Sequence, residues 1–139
     1  MIIQVVSAFF ATLFFSIIFR ISTKNLFFCG IIGAVGWLVY LLTLTIESIV
    51  FSSFLGAIIV SILSHIFAKI RKTPVTVFLI AGIIPLVPGA ILYKAIYFIV
   101  AEDYNMSTYY FIQSLQIAGA IAVAIFLIAS VTKSSRIRS

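Results

Sequence analysis

Long apolar runs with very few charges dominate this sequence. Of its 139 residues, 64% are hydrophobic and 9% are charged, and the mean hydropathy is +1.34. A chain of this composition cannot cover a soluble globule with polar side chains, so we predict an all-α, polytopic membrane protein. Each run is near the roughly 20 residues that cross a hydrocarbon core as a helix. The five runs are residues 2–19, 26–46, 50–68, 75–101 and 109–131.

The sequence predicts one integral membrane domain over residues 1–139, because it shows no linker and no internal repeat. A formal charge of +6 would suggest nucleic acid in a soluble protein, but here the basic residues cluster between apolar runs. We therefore expect contact with the lipid bilayer and none with nucleic acid. Cys29 is the only cysteine and lacks any metal-ligand spacing, so no disulfide, metal or cofactor is expected.

Basic and acidic residues alternate from one connection to the next. Basic residues follow the first, third and fifth runs, and acidic residues follow the second and fourth. Connections rich in Lys and Arg face the cytoplasm, so we predict an amino terminus outside and a carboxyl terminus inside. The basic positions are Arg20, Lys24, Lys69, Arg71, Lys72, Lys133, Arg136 and Arg138, and the acidic positions are Glu47, Glu102 and Asp103.

The fourth run is interrupted near its middle by Pro85, Pro88 and Gly89. Proline removes a backbone donor and disrupts the helical ladder. A membrane tolerates such a break only where it is buried in protein or lines a cavity, and broken helices hold the binding sites of many transporters. We therefore predict that the fourth span is a broken helix with a functional site at the break.

The second half of this span has features of an anion site. Pro88 suits the first turn of a new helix, so the amides of Gly89, Ala90 and Ile91 are expected to lack intrahelical partners and to be free. Free amides at the positive end of a helix dipole attract a carboxylate, and Gly89 permits close approach of a ligand. Pro85, Pro88, Gly89 and Ala90 are accordingly predicted to bind substrate.

Lys94 is the only basic residue within a predicted span, and it follows the break by about one and a half turns. Its side chain should tilt back toward the break. We include Lys94 and Tyr93 among the substrate-binding candidates. There are two alternatives for Lys94: it could be a structural partner of another helix, or its side chain could extend to the outer surface. Tyr93 and Tyr97 share a face and offer hydroxyl groups to a polar ligand. An aromatic belt at the membrane interface is the alternative, and it is favoured for Tyr97, which is closer to the outer surface.

Other polar residues in the spans are candidates for the lining of the same cavity. These are Ser61 and Ser64 in the third run and Gln113 and Gln116 in the fifth. Hydrogen bonds between helices would account for all four without a ligand. His65 is a candidate for proton coupling, and a packed or interfacial histidine is the alternative.

Small residues recur at four-residue spacing, which permits close contact between helices in a membrane. We expect most of these rows to pack within the chain and some to meet another subunit, giving an oligomer. The rows are Ala8, Thr12 and Ser16; Ser53, Ala57 and Ser61; Gly30 and Ala34; and Ala118 and Ala122.

Two segments resemble the threonine/serine exporter (ThrE) family. The first is Lys72-Thr73-Pro74, followed by Val77-Phe78, the run GIIPLVPG at residues 82–89, and Tyr93. The second is LFFCGIIGAVGW at residues 26–37, directly after a basic turn. The resemblance covers nearly the whole chain, and its most specific part is the run IPLVPG.

The chain is most similar to the short, YjjB-like form, which corresponds to the carboxyl-terminal half of full-length members. That resemblance implies a larger YjjP-like partner subunit, a bacterial cytoplasmic membrane, and threonine, serine or succinate as substrate. Lys94 matches no family motif. We therefore expect a secondary exporter subunit, in which rocking against a partner alternates access to the break.

Two other classes of function are alternatives to the exporter. A structural membrane subunit would use the prolines only to shape its packing. A membrane enzyme is disfavoured because the few acids lie in outer connections and no nucleophile–base or metal pair is evident. The sequence also contains no ATP-binding loop, which argues against an internally ATP-driven pump. The expectation is therefore a protein that is not an enzyme.

Overall fold

The computed structural model describes residues 2–138, and it describes side chains as far as residue 133. The described chain is helical throughout apart from short connections, which confirms the all-α prediction. Short 3-10 turns occupy Thr23–Asn25 and Ile84–Leu86. The α-helices are α1 (Ile2–Ile18), α2 (Leu26–Leu44), α3 (Ile49–Arg71), α4 (Val75–Ile83), α5 (Gly89–Val100) and α6 (Tyr104–Arg138).

Several of these helices are long and apolar enough to cross a membrane. Three of the described helices, α2 with its preceding turn, α3 and α6, meet that condition singly. The pair α4 and α5 meets it together, although the pair is bent by 49°. Helix α1 is apolar but has 17 residues, about 25 Å, which is short for a hydrocarbon core of about 30 Å. The helices therefore indicate a multi-pass membrane protein with three to four clear spans, and the predicted count of five is not supported by helix length.

Three helices end in the same way, at a charged residue with a left-handed backbone. The φ angles are 58° at Arg20, 53° at Lys72 and 63° at Glu102. In each case the next amide bonds back to a carbonyl five residues earlier, which is the Schellman arrangement that stops a helix. These bonds are Ile21 N to Ser16 O (3.1 Å), Thr73 N to Ala68 O (3.0 Å) and Asp103 N to Phe98 O (2.9 Å).

The helices pack in a simple order around α2 and α3. Helix α2 lies between α1 and α3, α4 contacts α2 and α3, and α6 packs along α3. Helix α5 packs mainly on α6. Ile32, Val60 and Phe78 are fully buried where α2, α3 and α4 meet. The core therefore lies between α2, α3, α4 and one side of α6.

Most of the predicted rows of small residues are buried. Ala8, Thr12 and Ser16 are the buried residues of α1, and Ser53, Ala57 and Ser61 are all buried in α3. Gly30 is buried and Ala34 is half-buried. Ala118 and Ala122 are instead exposed, because a neighbouring row of α6 residues packs against α3 and α5. This row is the buried stripe of α6 and consists of Ser107, Ser114, Ile117, Ile121 and Ala124.

Glycines allow α2 to approach its neighbours closely. A methyl group added at Gly33 would overlap the Thr12 hydroxyl of α1, and one added at Gly36 would overlap Val60 of α3. One added at Gly56 would lie 3.2 Å from the Gly36 carbonyl oxygen. Without a hydrophobic driving force between helices in lipid, such close packing stabilises the bundle.

Candidate functional site

The break between α4 and α5 results from two prolines three residues apart. Pro85 lies in the 3-10 turn that ends α4. The ring of Pro88 disfavours the helical conformation at the preceding residue, and Val87 is accordingly extended, with φ −61° and ψ 131°. Helix α5 then restarts at Gly89 with its axis bent by 49° from α4. The two prolines thus predict the position of the bend, and the structure shows a bend within the predicted segment, residues 75–101.

The first amides of α5 are only partly free. The Gly89 amide donates to the Val87 carbonyl oxygen at 2.8 Å, around Pro88 with φ −79° and ψ 56°, which is an inverse γ-turn. The prediction of a free amide at Gly89 is therefore wrong, because this tight turn pairs it. The first helical bond runs from Leu92 N to Pro88 O at 3.1 Å. The amides of Ala90 and Ile91 come before this first helical hydrogen bond, so they have no backbone acceptor among the described residues.

A cavity of about 280 Å³ lies against this break. Its wall contains Ala90 and Ile91, the residues that carry the two free amides. The rest of the wall is mainly apolar, and no charged side chain of the described chain lines it. The lining residues are Trp37 and Tyr40 of α2, Ile49 and Ser53 of α3, Pro85, Leu86, Val87 and Pro88 of the break, Ala90 and Ile91 of α5, and Ile117 of α6.

Trp37 and Tyr40 form an aromatic wall of this cavity, and sequence reasoning did not assign them to the site. Their rings are stacked, with centroids 4.7 Å apart and planes 26° apart. The indole N–H and the phenol hydroxyl are polar groups beside an otherwise apolar surface. The sequence feature that could have indicated them is the sole tryptophan, which directly follows the glycine-rich part of α2 and has a tyrosine at i+3.

A second cavity, also about 280 Å³, lies on the α1 side of the break. It is lined by Gln4, Ser7, Ala8 and Ala11 of α1, together with Trp37 and Pro85. The Ser7 hydroxyl donates to the Ile3 carbonyl oxygen at 2.8 Å, so its donor is already used. Trp37 and Pro85 are common to the linings of both cavities.

The predicted substrate-binding residues divide into two groups. Pro85, Pro88 and Ala90 line the first cavity. Gly89 is exposed, and a Cβ added there would meet nothing within 4 Å. Tyr93 and Lys94 are exposed on the surface of α5 and line neither cavity. The Lys94 ammonium instead lies 5.5 Å from the centroid of the Tyr110 ring.

The remaining polar candidates lie away from both cavities. Ser61 and Ser64 are fully buried in α3, and the Ser64 hydroxyl donates to the Val60 carbonyl oxygen at 2.7 Å. The half-buried His65 places Nδ1 2.8 Å from the Ser61 carbonyl oxygen. The Ser61 hydroxyl has no hydrogen-bond partner in the described structure.

Gln113 and Gln116 do not reach the break either. Gln113 is half-buried and Gln116 is exposed on α6, and neither lines the two cavities. The α6 residue at the first cavity is Ile117, which follows them on the buried stripe. The structure therefore does not bring the predicted serines, glutamines and histidine together with the prolines.

The arrangement at the break suits a small anion with an apolar or hydroxyl-bearing body. Two free amides and the positive end of the α5 dipole favour negative charge at the first turn of the helix. The wall beside them is mainly aromatic and aliphatic. No charged side chain of the described chain lines the cavity, so the negative charge of a bound anion would depend on the backbone amides.

A family model described as "Threonine/Serine exporter, ThrE" matches residues 4–131, which include every residue that lines the two cavities. No curated protein and no solved structure matches the chain. Members of this family are membrane transporters, in agreement with the several apolar helices of this chain. The chain belongs to the threonine/serine exporter (ThrE) family.

Proposed function

We propose that this protein is the membrane subunit of a secondary exporter that moves a small carboxylate across the membrane. Threonine, serine or a succinate-like dicarboxylate is the substrate class. The observation that carries the proposal is the pair of free amides at Ala90 and Ile91, which open a helix directly against a cavity. Membership of a transporter family supports the same conclusion.

In this proposal the substrate carboxylate accepts hydrogen bonds from the first turn of α5. The stacked Trp37 and Tyr40 cover the body of the substrate, and the polar side chains among the lining residues are those of Trp37, Tyr40 and Ser53. Because the bond donors are backbone amides and not a buried cation, the site binds a carboxylate without holding it too tightly to release. A transporter needs that balance, since the substrate must leave on the other side.

The helices are proposed to form five crossings, with the amino terminus outside and the carboxyl terminus in the cytoplasm. Helices α4 and α5 then make one broken crossing, and Pro85 lies about 15 Å along it from Val75, near mid-depth. Helix α1 makes a short crossing of its own. The distribution of basic and acidic connections supports this direction, although the side chains of Arg136 and Arg138 lie outside the described residues.

A larger YjjP-like subunit in a bacterial cytoplasmic membrane is proposed as the transport partner. Helix α5 packs mainly on α6, so much of its surface beside the cavity has no covering helix within the described chain. Rocking of this subunit against the larger one would open the cavity to each side in turn. Proton coupling through His65 is a further part of the proposal, acting at a distance from the cavity.

The test is a substrate-efflux panel in cells that express the chain with and without a larger family member. Ala90→Leu adds bulk to the first cavity beside the free amides, and we expect efflux of the transported carboxylate to fall at least tenfold while the membrane level and co-purification with the larger family member stay unchanged. Ala122→Leu is the matched control, because Ala122 is also an exposed alanine of an apolar helix but lies on α6 away from the cavity. Efflux with that variant should stay within about twofold of the original.

Two results would favour the alternatives. Loss of assembly with the larger subunit in Ala90→Leu, with no substrate binding to the original chain in any preparation, would indicate a structural subunit with no substrate site of its own. Turnover of a lipid or peptide by the purified chain would indicate a membrane enzyme.

A further inference from the structure

Lys94 carries a charge in the middle of an apolar helix. It is the sixth of the twelve residues of α5, about 8 Å along the helix from Gly89 and about 9 Å from Val100. Its side chain is exposed and does not reach either cavity at the break. An ionised group at such a position is costly in lipid unless it reaches water or finds an opposite charge.

The ammonium group does not extend to the acidic connection beyond α5. It lies 5.5 Å from the centroid of the Tyr110 ring. Tyr110 follows Asp103 by seven residues, which is about 10 Å along α6. The Tyr110 ring is itself held in place by stacking on Phe98, with centroids 5.6 Å apart. The charge therefore stays at the level of the paired helices, well below Glu102 and Asp103.

The chain has no carboxylate that could neutralise Lys94 at this level. Its three acids are Glu47, Glu102 and Asp103, and all of them lie in connections between helices. A second copy of the chain has the same distribution of acids and so offers none at that depth either. A carboxylate opposite Lys94 would therefore have to come from a different molecule.

Lys94 is part of a continuous exposed surface on α5. Ala90, Tyr93, Lys94 and Tyr97 are exposed and follow the helical spacing i, i+3, i+4 and i+7, and we call them the α5 polar face. Tyr93 is 68% exposed and Tyr97 is 54% exposed, so both present hydroxyl groups beside the ammonium. Ala90 leaves room for a backbone to approach. Such a face combines a cation, two hydroxyls and a small residue, which is the chemistry that polar contacts between membrane helices use.

We propose that the α5 polar face docks a membrane-spanning helix of a different chain, and that a carboxylate on that helix pairs with Lys94. The pairing satisfies a charge that this chain leaves uncompensated, and it fixes the depth and direction of the docked helix. It also sets the partner helix beside the cavity at the break, because Ala90 belongs to both surfaces. This inference stands on the exposure and charge of the α5 polar face and does not depend on transport.

The experiment uses the full chain in phosphatidylcholine vesicles with a designed peptide as the probe. The peptide is a leucine-rich single span with one Glu at its centre, and the control peptide has Gln there. With a donor dye at the amino terminus of the protein and an acceptor on the peptide, we expect the Glu peptide to associate at least tenfold more tightly. Lys94→Gln should remove this preference, Lys94→Arg should keep it, and Lys94→Glu should transfer it to a Lys-bearing peptide.

Three results would overturn the proposal. One is equal association of the Glu and Gln peptides with the original chain, a comparison that needs no variant. Another is loss of the preference when phosphatidylglycerol is added, since an anionic lipid would then be the partner of Lys94. The third is displacement of the Glu peptide by threonine or succinate, which would make Lys94 a substrate group. This experiment measures no flux, so a negative result would not count against the proposed transport function, which the efflux panel tests separately.

Discussion

Trp37 and Pro85 both line two cavities of about 280 Å³ each, one against α5 and one against α1. The indole of Trp37 also stacks on Tyr40, which limits the positions open to it. Because Trp37 belongs to both cavities at the break, it has a central position in the proposed transport cycle.

Trp37 is the only tryptophan, so its fluorescence reports directly on this wall. We expect the transported carboxylate to change the emission of the purified protein in a saturable way, because the indole lines the proposed site. Ala90→Leu should abolish the change and Ala122→Leu should preserve it. An unaltered emission spectrum at saturating threonine, serine and succinate, in a preparation that still exports them, would refute binding at this cavity.

The contact between α1 and α2 should be sensitive to a single added methyl group. Gly33→Ala places a Cβ on the Thr12 hydroxyl, and Thr12 is fully buried, so the helices must separate. Overpacking of this kind costs about 1 to 3 kcal/mol of unfolding free energy. Thermal unfolding in detergent measures the loss. Gly119→Ala is the matched control, because a Cβ there meets nothing within 4 Å, and a stability equal to that of Gly33→Ala would contradict the packing described.

The end of α5 should become more stable with glycine at Glu102. Glu102 has φ 63°, a conformation that costs a side-chain-bearing residue about 1 to 2 kcal/mol and glycine almost nothing. We expect Glu102→Gly to raise the unfolding free energy by up to about 1 kcal/mol. Ala101→Gly, one residue earlier at φ −79°, should lower it instead. Equilibrium unfolding by denaturant in detergent compares the two, and a destabilised Glu102→Gly protein would rule out strain at this cap.

A buried hydroxyl connects α5 to α6. Ser107 Oγ donates to the Ala95 carbonyl oxygen at 2.7 Å, and Ala95 is 1% exposed. Ser107→Ala removes this bond between helices and should cost about 0.5 to 1.5 kcal/mol. Thr108→Ala removes only a bond to Tyr104 O within α6 at an exposed position, so it should have a smaller effect. Faster amide hydrogen exchange in α5 with Ser107→Ala, but not with Thr108→Ala, is the expected signature.

Much of the architecture follows from local properties of the chain. The apolar runs specify membrane helices because unpaired backbone groups are too costly in lipid, whatever the neighbours are. Pro85 and Pro88 specify the break because a proline acts on its own backbone and on the residue before it. The buried rows in α1 and α3 follow from the helical period, since small residues four apart share a face.

Other features depend on how the helices lie against one another. Ala118 and Ala122 form a row of the same kind as those in α1 and α3, yet both are exposed. The reason is that α6 packs on α3 and α5 through a different face. Lys94 was expected near the break from the tilt of its side chain, but its charge lies over Tyr110 of the neighbouring helix.

The sequence by itself determined that this protein is a helical membrane protein with a proline break in its fourth apolar run, since those properties arise from each segment alone. Only the tertiary structure decided that Trp37 and Tyr40 face the break while Tyr93 and Lys94 face away from it. It also decided that the Gly89 amide is paired in a tight turn and that the free donors are those of Ala90 and Ile91. The physical reason is that hydropathy and proline act along the chain, whereas the rotation of each helix about its axis is set by the shapes packed against it.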